Sequence, residues 1–164
     1  RGGVSPPVTT WSLELTDPAR LRPPSRPAPD GMTIVLDREP GTSEKFYRGV
    51  GADWRWTDRL PWPPERWALW ERGVELHVVR LDGREAGYAE LDPSQPGSVE
   101  LAAFGLLPGF DGRGLGGHLL AHALRRALEL APRAWVHTCS LDGPHALANY
   151  EARGLELFRT ETAG

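Results

Sequence analysis

Bulky apolar and polar residues alternate over one short stretch of the chain, six further short stretches are rich in apolar residues, and a longer one carries its apolar residues with a period near 3.6. Residues 11–16 (WSLELT), 32–39 (MTIVLDRE), 74–81 (VELHVVRL), 85–91 (EAGYAEL), 98–107 (SVELAAFGLL), 134–141 (AWVHTCSL) and 155–162 (LELFRTET) read as strands. The helical stretch is 116–131 (GGHLLAHALRRALELA). Leu119, Leu120, Ala123, Leu124, Ala127 and Leu128 share one face, and Pro132 ends it. Shorter helices are expected from a Ser43 cap to about Val50, across 65–72 behind Pro63 and Pro64, and from Pro144 through Arg153. Gly73 and Gly154 end the last two. Asp82-Gly83 between two strands is a hairpin signal. Residues 18–31 (PARLRPPSRPAPDG) are too proline-rich for a regular element and read as an extended connector. The order, strands first and then strand–helix–strand–helix–strand, indicates an α/β domain. It occupies 32–164 and follows an N-terminal extension, 1–31, whose strand at 11–16 is expected at a sheet edge, paired within the chain or across a homodimer.

Composition narrows the function classes. A length of 164 residues suits one core, and a net charge of −3 gives no basic field for nucleic acid or an anionic membrane. No apolar run approaches a membrane span, and the first ten residues, RGGVSPPVTT, lack a signal core, so a cytoplasmic protein is expected. The single cysteine, Cys139, excludes an intramolecular disulfide and a cysteine-rich zinc site. Lying mid-strand among apolar neighbours, it reads as an ordinary buried thiol. His118 and His122 have i, i+4 spacing but no evident third ligand. A solvated helix face is expected, and no metal.

The most informative stretch runs from Phe110 to Gly117, FDGRGLGG, between an expected strand and an expected helix. Glycines let the backbone turn and approach a ligand with no Cβ in the way. The first N–H groups of the helix lack intrahelical partners and carry the positive end of its dipole. Together they suit a phosphate or pyrophosphate. No Gly-Lys-Ser/Thr is present for a Walker loop, and the antiparallel strands that come first argue against a dinucleotide fold.

VELAAFGLLPGFDGRGLGGHLL resembles the acetyl-CoA-binding motif of the GNAT acetyltransferases, Gln/Arg-x-x-Gly-x-Gly/Ala after a strand. Gly114 and Gly116 fill its two small positions, and Asp111 stands where Gln or Arg is usual. WVHTCSLDGPHALANYEARGLELF resembles the second half of the family, with Tyr150 and Gly154 in its Tyr-x-x-x-Gly pattern. More loosely, the whole chain is similar to a bacterial branch of that superfamily. The resemblance implies a GNAT fold, with a mixed, mostly antiparallel sheet flanked by helices on both faces. It implies acetyl transfer from acetyl-CoA to an amine by direct attack, with a small-molecule primary amine as acceptor. The alternatives are a protein N-terminus or lysine, or a non-catalytic acyl-CoA sensor.

The resemblance also implies site residues. Glu100, on the strand before the loop, is the candidate base, with Glu90 its competitor, and Tyr150 is the candidate acid. Leu106, Leu107, Gly112, Arg113, Gly114, Leu115, Gly116, Gly117 and Asn149 are the candidate cofactor contacts. The strand ending at Leu107 is expected to splay from its neighbour and open a slot for acetyl-CoA. Trp54 and Trp56, beside Asp53 and Asp58, are placed on the acceptor side, where aromatic faces would hold a cationic amine. Trp67 and Trp70 are expected to anchor their helix to the core.

Overall fold

The computed structural model describes residues 7–54, 56–142 and 145–163. Seven strands form one sheet. They are β1 (Val8–Leu15), β2 (Met32–Leu36), β3 (Glu75–Leu81), β4 (Arg84–Asp92), β5 (Ser98–Leu106), β6 (Arg133–Cys139) and β7 (Glu156–Ala163), in the spatial order β2-β3-β4-β5-β6-β1-β7. Only β5 and β6 pair parallel; the other neighbours are antiparallel. The helices are α1 (Thr42–Gly51), α2 (Pro64–Arg72), α3 (Leu115–Leu130) and α4 (Ala146–Ala152). No helix among the described residues is long and apolar enough to cross a membrane.

α3 lies on one face of the sheet. Leu115, Leu119, Leu120, Ala123, Leu124 and Ala127 are buried against β4, β5 and β6, and Tyr150 and Leu155 join the same core. Each fully buried leucine contributes roughly 1.5–3 kcal/mol over its exposed state, while the alanines let helix and sheet approach closely. α1 covers the opposite face. Phe46 stacks on Tyr88 at 5.1 Å between ring centres, and Val50 fills the space left by the missing side chain of Gly105. The β3–β4 turn takes positive φ at both Asp82 (52°) and Gly83 (79°), which matches the twist of a two-residue hairpin.

Two expectations change. The strand at the N-terminus is not at an edge. β1 pairs with β6 on one side and β7 on the other, and Leu13 and Leu15 are buried in the α3 core. Among the described residues a single strand follows α4, so β1 supplies the hydrogen-bonding partner that both β6 and β7 need. The edges are β2 and β7. Ser43 does not cap α1. The N-cap is Gly41 at φ 90°, and Glu71 of α2 accepts from the backbone N–H of Gly41 (3.0 Å) and of Ser43 (2.8 Å). The Ser43 hydroxyl donates instead to Glu90. The Pro144 start expected for α4 lies outside the described residues.

Candidate active site

β5 and β6 pair only at their first residues, Ser98 with Arg133, Val99 with Ala134 and Glu100 with Trp135. Beyond Glu100 they diverge. The gap continues as a cleft of about 910 Å³, with α3 and α4 at its sides and the α1–α2 connection over its far end. Ligands of α/β sheets collect where parallel strands part at their carboxyl ends, because neither strand there fills the other's hydrogen bonds. A bulge sharpens the break. Leu91 pairs with Leu101 and Glu90 with Ala103, so Ala102 is an extra residue on β5. Its carbonyl accepts from Arg59 at 3.4 Å.

Glu90 and Glu100 have separate environments. Glu90 is fully buried, takes an ion pair from Arg59 at 2.7 Å and a hydrogen bond from Ser43, and does not line the cleft. Removing one member of such a pair strands a buried charge, at a cost of about 3–5 kcal/mol. Glu90 therefore belongs to the scaffold. Arg59 also lies over the rings of Tyr47, Trp62 and Trp70 at 5.1, 5.3 and 4.5 Å, so the pair ties the α1–α2 connection to the bulge. Glu100 lines the cleft and meets His137 of β6, Oε2 to Nδ1, at 3.4 Å.

Of the other residues picked from the sequence, Tyr150, Asn149, Leu106, Gly116, Trp54 and Trp56 line the cleft with Glu100. Leu107, Gly112, Arg113, Gly114, Leu115 and Gly117 do not. The amide of Leu107 donates to Ala86 at 2.7 Å, which removes it from ligand binding. The Arg113 guanidinium lies over Phe110 at 5.5 Å, while Asp111 is exposed and forms part of the cleft wall. Leu115 is buried in the α3 core, and Gly117 packs on Pro24, which a Cβ would approach to 2.9 Å.

The start of α3 is open. Gly114, at φ 81°, is its N-cap, and no side chain among the described residues caps it. At Gly116 an added Cβ would meet only Leu106, at 3.8 Å, an ordinary contact. The fold does not require glycine there, and the residue faces the cleft. That is the pattern expected where a ligand passes close to a helix N-terminus. A long cleft with free N–H groups at one end and unpaired strand backbone along its side fits the pyrophosphate and amide-bearing arm of a CoA thioester.

At the far end, Trp56 tilts against Tyr47 at 5.4 Å and packs where Gly51 has no side chain, and Trp54 is more than a third exposed. Trp70 lines the same end, while Trp67 is buried against Tyr47 and Trp62. Burial pushes the Tyr150 phenol well above its usual range, so it stays protonated and has a proton to donate. Cys139 is the last residue of β6 and half-buried in the cleft wall, not mid-core. Desolvation raises its pKa and keeps it a thiol. Asp142 is held by the Thr138 hydroxyl (2.7 Å) and the Cys139 amide (2.8 Å). His122, expected in solvent, instead meets His77 of β3 at 3.1 Å, and His118 meets the Arg26 carbonyl.

Sequence reasoning gave no role to His137, Arg59 or Asp142. On β6 the buried Ala134, Val136 and Thr138 alternate with Trp135, His137 and Cys139. The face was legible, but its meeting with Glu100 was not.

A mycothiol acetyltransferase of Thermobispora bispora is 51% identical over 61 residues, which is 37% of this chain and 19% of that protein. A GCN5-related N-acetyltransferase of Kribbella flavida superposes with a TM-score of 0.68 at 25% identity, covering 93% of this chain and 55% of that one. A GCN5-related N-acetyltransferase of Sphaerobacter thermophilus gives 0.68 at 19% identity, covering 96% and 50%, and is similar in fold. The chain thus spans about half the length of these solved relatives. The profile of the Acetyltransferase (GNAT) family matches residues 43–155, well over half of the chain. With the splayed strands and the open α3 terminus, that match places the chain in the GNAT acetyltransferase family.

Proposed function

We propose that this chain transfers an acetyl group from acetyl-CoA to the primary amine of a small molecule, in the cytoplasm. The observation that carries the reading is one continuous cleft with an uncapped helix N-terminus at one end and a carboxylate- and aromatic-lined wall at the other. Acetyl-CoA supplies a thioester carbonyl open to a neutral nucleophile. The chain must bind it, receive the amine as a cation, remove a proton and offer one to the departing sulfur.

The residues divide along the cleft. The N–H groups at the start of α3, with Gly116, hold the phosphates, and Leu106 and Asn149 line the channel for the pantetheine arm. Glu100 and its surroundings take the proton, and Tyr150, kept protonated by burial, donates one to sulfur. Trp54 and Trp56 with Asp58 attract and stack the amine cation. Each exposed cation–π contact contributes roughly 0.5–1 kcal/mol. The names of the Thermobispora bispora and Kribbella flavida proteins, both acetyltransferases, support acetyl transfer.

Measuring CoA thiol release over a panel of small amines and amine-bearing peptides tests the reading. Turnover with small amines is expected, with Trp54→Ala raising the apparent KM for amine several-fold and leaving that for acetyl-CoA unchanged. Turnover confined to peptides would move the acceptor to proteins. Acetyl-CoA binding with no turnover on any amine would make the chain a sensor.

A further inference from the structure

The proposed reaction needs a group that takes a proton from the amine, and a carboxylate is a weak choice. An unperturbed carboxyl has a pKa near ~4, far below that of an ammonium group, whereas imidazole, near ~6.5, is poised by its own chemistry near neutral pH. Glu100 is not alone. It is the last β5 residue paired with β6, and His137 is two residues beyond its partner Trp135. The side chains of Glu100 and His137 therefore share one face at the point where the strands part. Their atoms stand 3.4 Å apart, a separation that tightens readily when a site closes on its substrate. Both line the cleft. The Glu100 side chain is about one-fifth exposed and that of His137 just over half. The buried member thus backs the accessible one. The imidazole is also steadied by the Trp135 ring, 5.9 Å away on the same strand.

We infer that the His137–Glu100 pair is the proton acceptor of this site, with His137 Nε2 taking the proton and Glu100 fixing the ring through Nδ1. Glu100 is then a positioning residue and His137 the catalytic one. The assignment rests on the acetyl-transfer reading and deepens it. The amine proton passes to Nε2, leaving the electron pair on nitrogen. That pair forms the new C–N bond as the C–S bond breaks, its electrons leaving with sulfur. Sulfur receives a proton from Tyr150, which regains one from the second N–H proton lost by the acylated nitrogen, and the imidazolium returns its own to solvent. One proton is released overall for each ammonium acetylated.

The charges around the ring suit this role. Glu100 on β5, Asp142 in the turn after β6 and Asp58 from the α1–α2 connection all raise the His137 pKa above the usual 6.5, Glu100 most, against the opposing effect of burial. Tyr47, Arg59, Asp111, Cys139, His145 and Tyr150 complete the ionisable lining. A raised pKa makes the imidazole a stronger proton acceptor.

The test has a readout without substrate. Imidazole NMR titration of the free protein should show the His137 pKa above 6.5, falling by about half a unit or more in Glu100→Gln. In steady state, His137→Gln should lose on the order of 100-fold in kcat/KM for amine. It should also lose the rising acid limb of the pH profile, with the KM for acetyl-CoA unchanged. In Glu100→Gln that limb should move to lower pH, whereas a Glu100 acting alone as base would lose it. Added imidazole should restore part of the activity of His137→Ala, which guards against a folding defect as the cause. Wild-type turnover with a His137→Gln protein of unchanged rate and profile overturns this assignment alone. No turnover by the wild type on any amine overturns the acetyl-transfer reading and this one with it.

Discussion

α1 and α3 begin alike and end up with opposite tasks. Both follow a glycine in the left-handed region, Gly41 at φ 90° and Gly114 at φ 81°, and neither uses a capping side chain of its own. At α1 a carboxylate from α2 closes the terminus, with both Glu71 oxygens taking backbone N–H groups. At α3 no side chain among the described residues does so, and the terminus adjoins the cleft. A helix start carries about half a positive charge and several orphan donors, which need an anion or water. Where the protein supplies the anion, the terminus is structural. Where it does not, the terminus is free to bind one from outside.

Substitutions can break this contrast from either side. The largest effect is expected at α3. Gly116→Val should lower CoA affinity by on the order of 100-fold, about 2.7 kcal/mol, measured by calorimetry. Since the fold leaves room at that position, Tm should stay within about 2 °C. A folded Gly116→Val protein that binds CoA normally would show that the open terminus is not the phosphate site.

Glu71→Ala should do the reverse. Losing the cap of α1 should cost about 1–2 kcal/mol of stability, or roughly 2–8 °C in Tm, while CoA affinity is unchanged. A Tm equal to wild type would mean that water serves α1 as well as Glu71 does, and the contrast between the two helix starts would lose its meaning.

The smallest effect sharpens the comparison through pH. On α3, burial first and then the nearby His77 hold His122 below its usual 6.5. The unfolded chain therefore binds that proton more readily. The stability contributed by neutral His122 is complete above pH 6.5 and is lost as pH falls through its folded pKa. His137 has the opposite sign. Its raised pKa contributes stability below 6.5 that is lost as pH rises through the folded value. Melting curves across this range should show Tm declining on the acid side in wild type and a shallower decline in His122→Asn. If the acid-side slope is the same in both proteins, the His77–His122 contact is not its source.

Much of the fold was legible because it is local. Short apolar-rich runs bounded by turn residues marked the strands, Asp82-Gly83 marked the hairpin, and the leucine and alanine spacing marked α3, since each signal lies within a few residues of what it specifies. The glycine run was legible for the same reason: positive φ at its glycines is a property of the segment itself. Ser43 was misread as a cap because the competing acceptor, Glu71, comes from another helix, 28 residues away.

What the sequence determined by itself is a set of elements, their order and a loop suited to an anion. Tertiary structure decided everything that depends on a distant partner. It put β1 between β6 and β7, because both strands had unfilled hydrogen bonds and Leu13 and Leu15 had a core to enter. It separated Glu90 from Glu100, because Arg59 reaches one of them and His137 the other. It opened the cleft, because the parallel pairing of β5 and β6 stops at Glu100 and the strands then diverge. A residue's type and spacing fix its intrinsic chemistry, but charge, burial and access are set by whatever the folded chain brings against it.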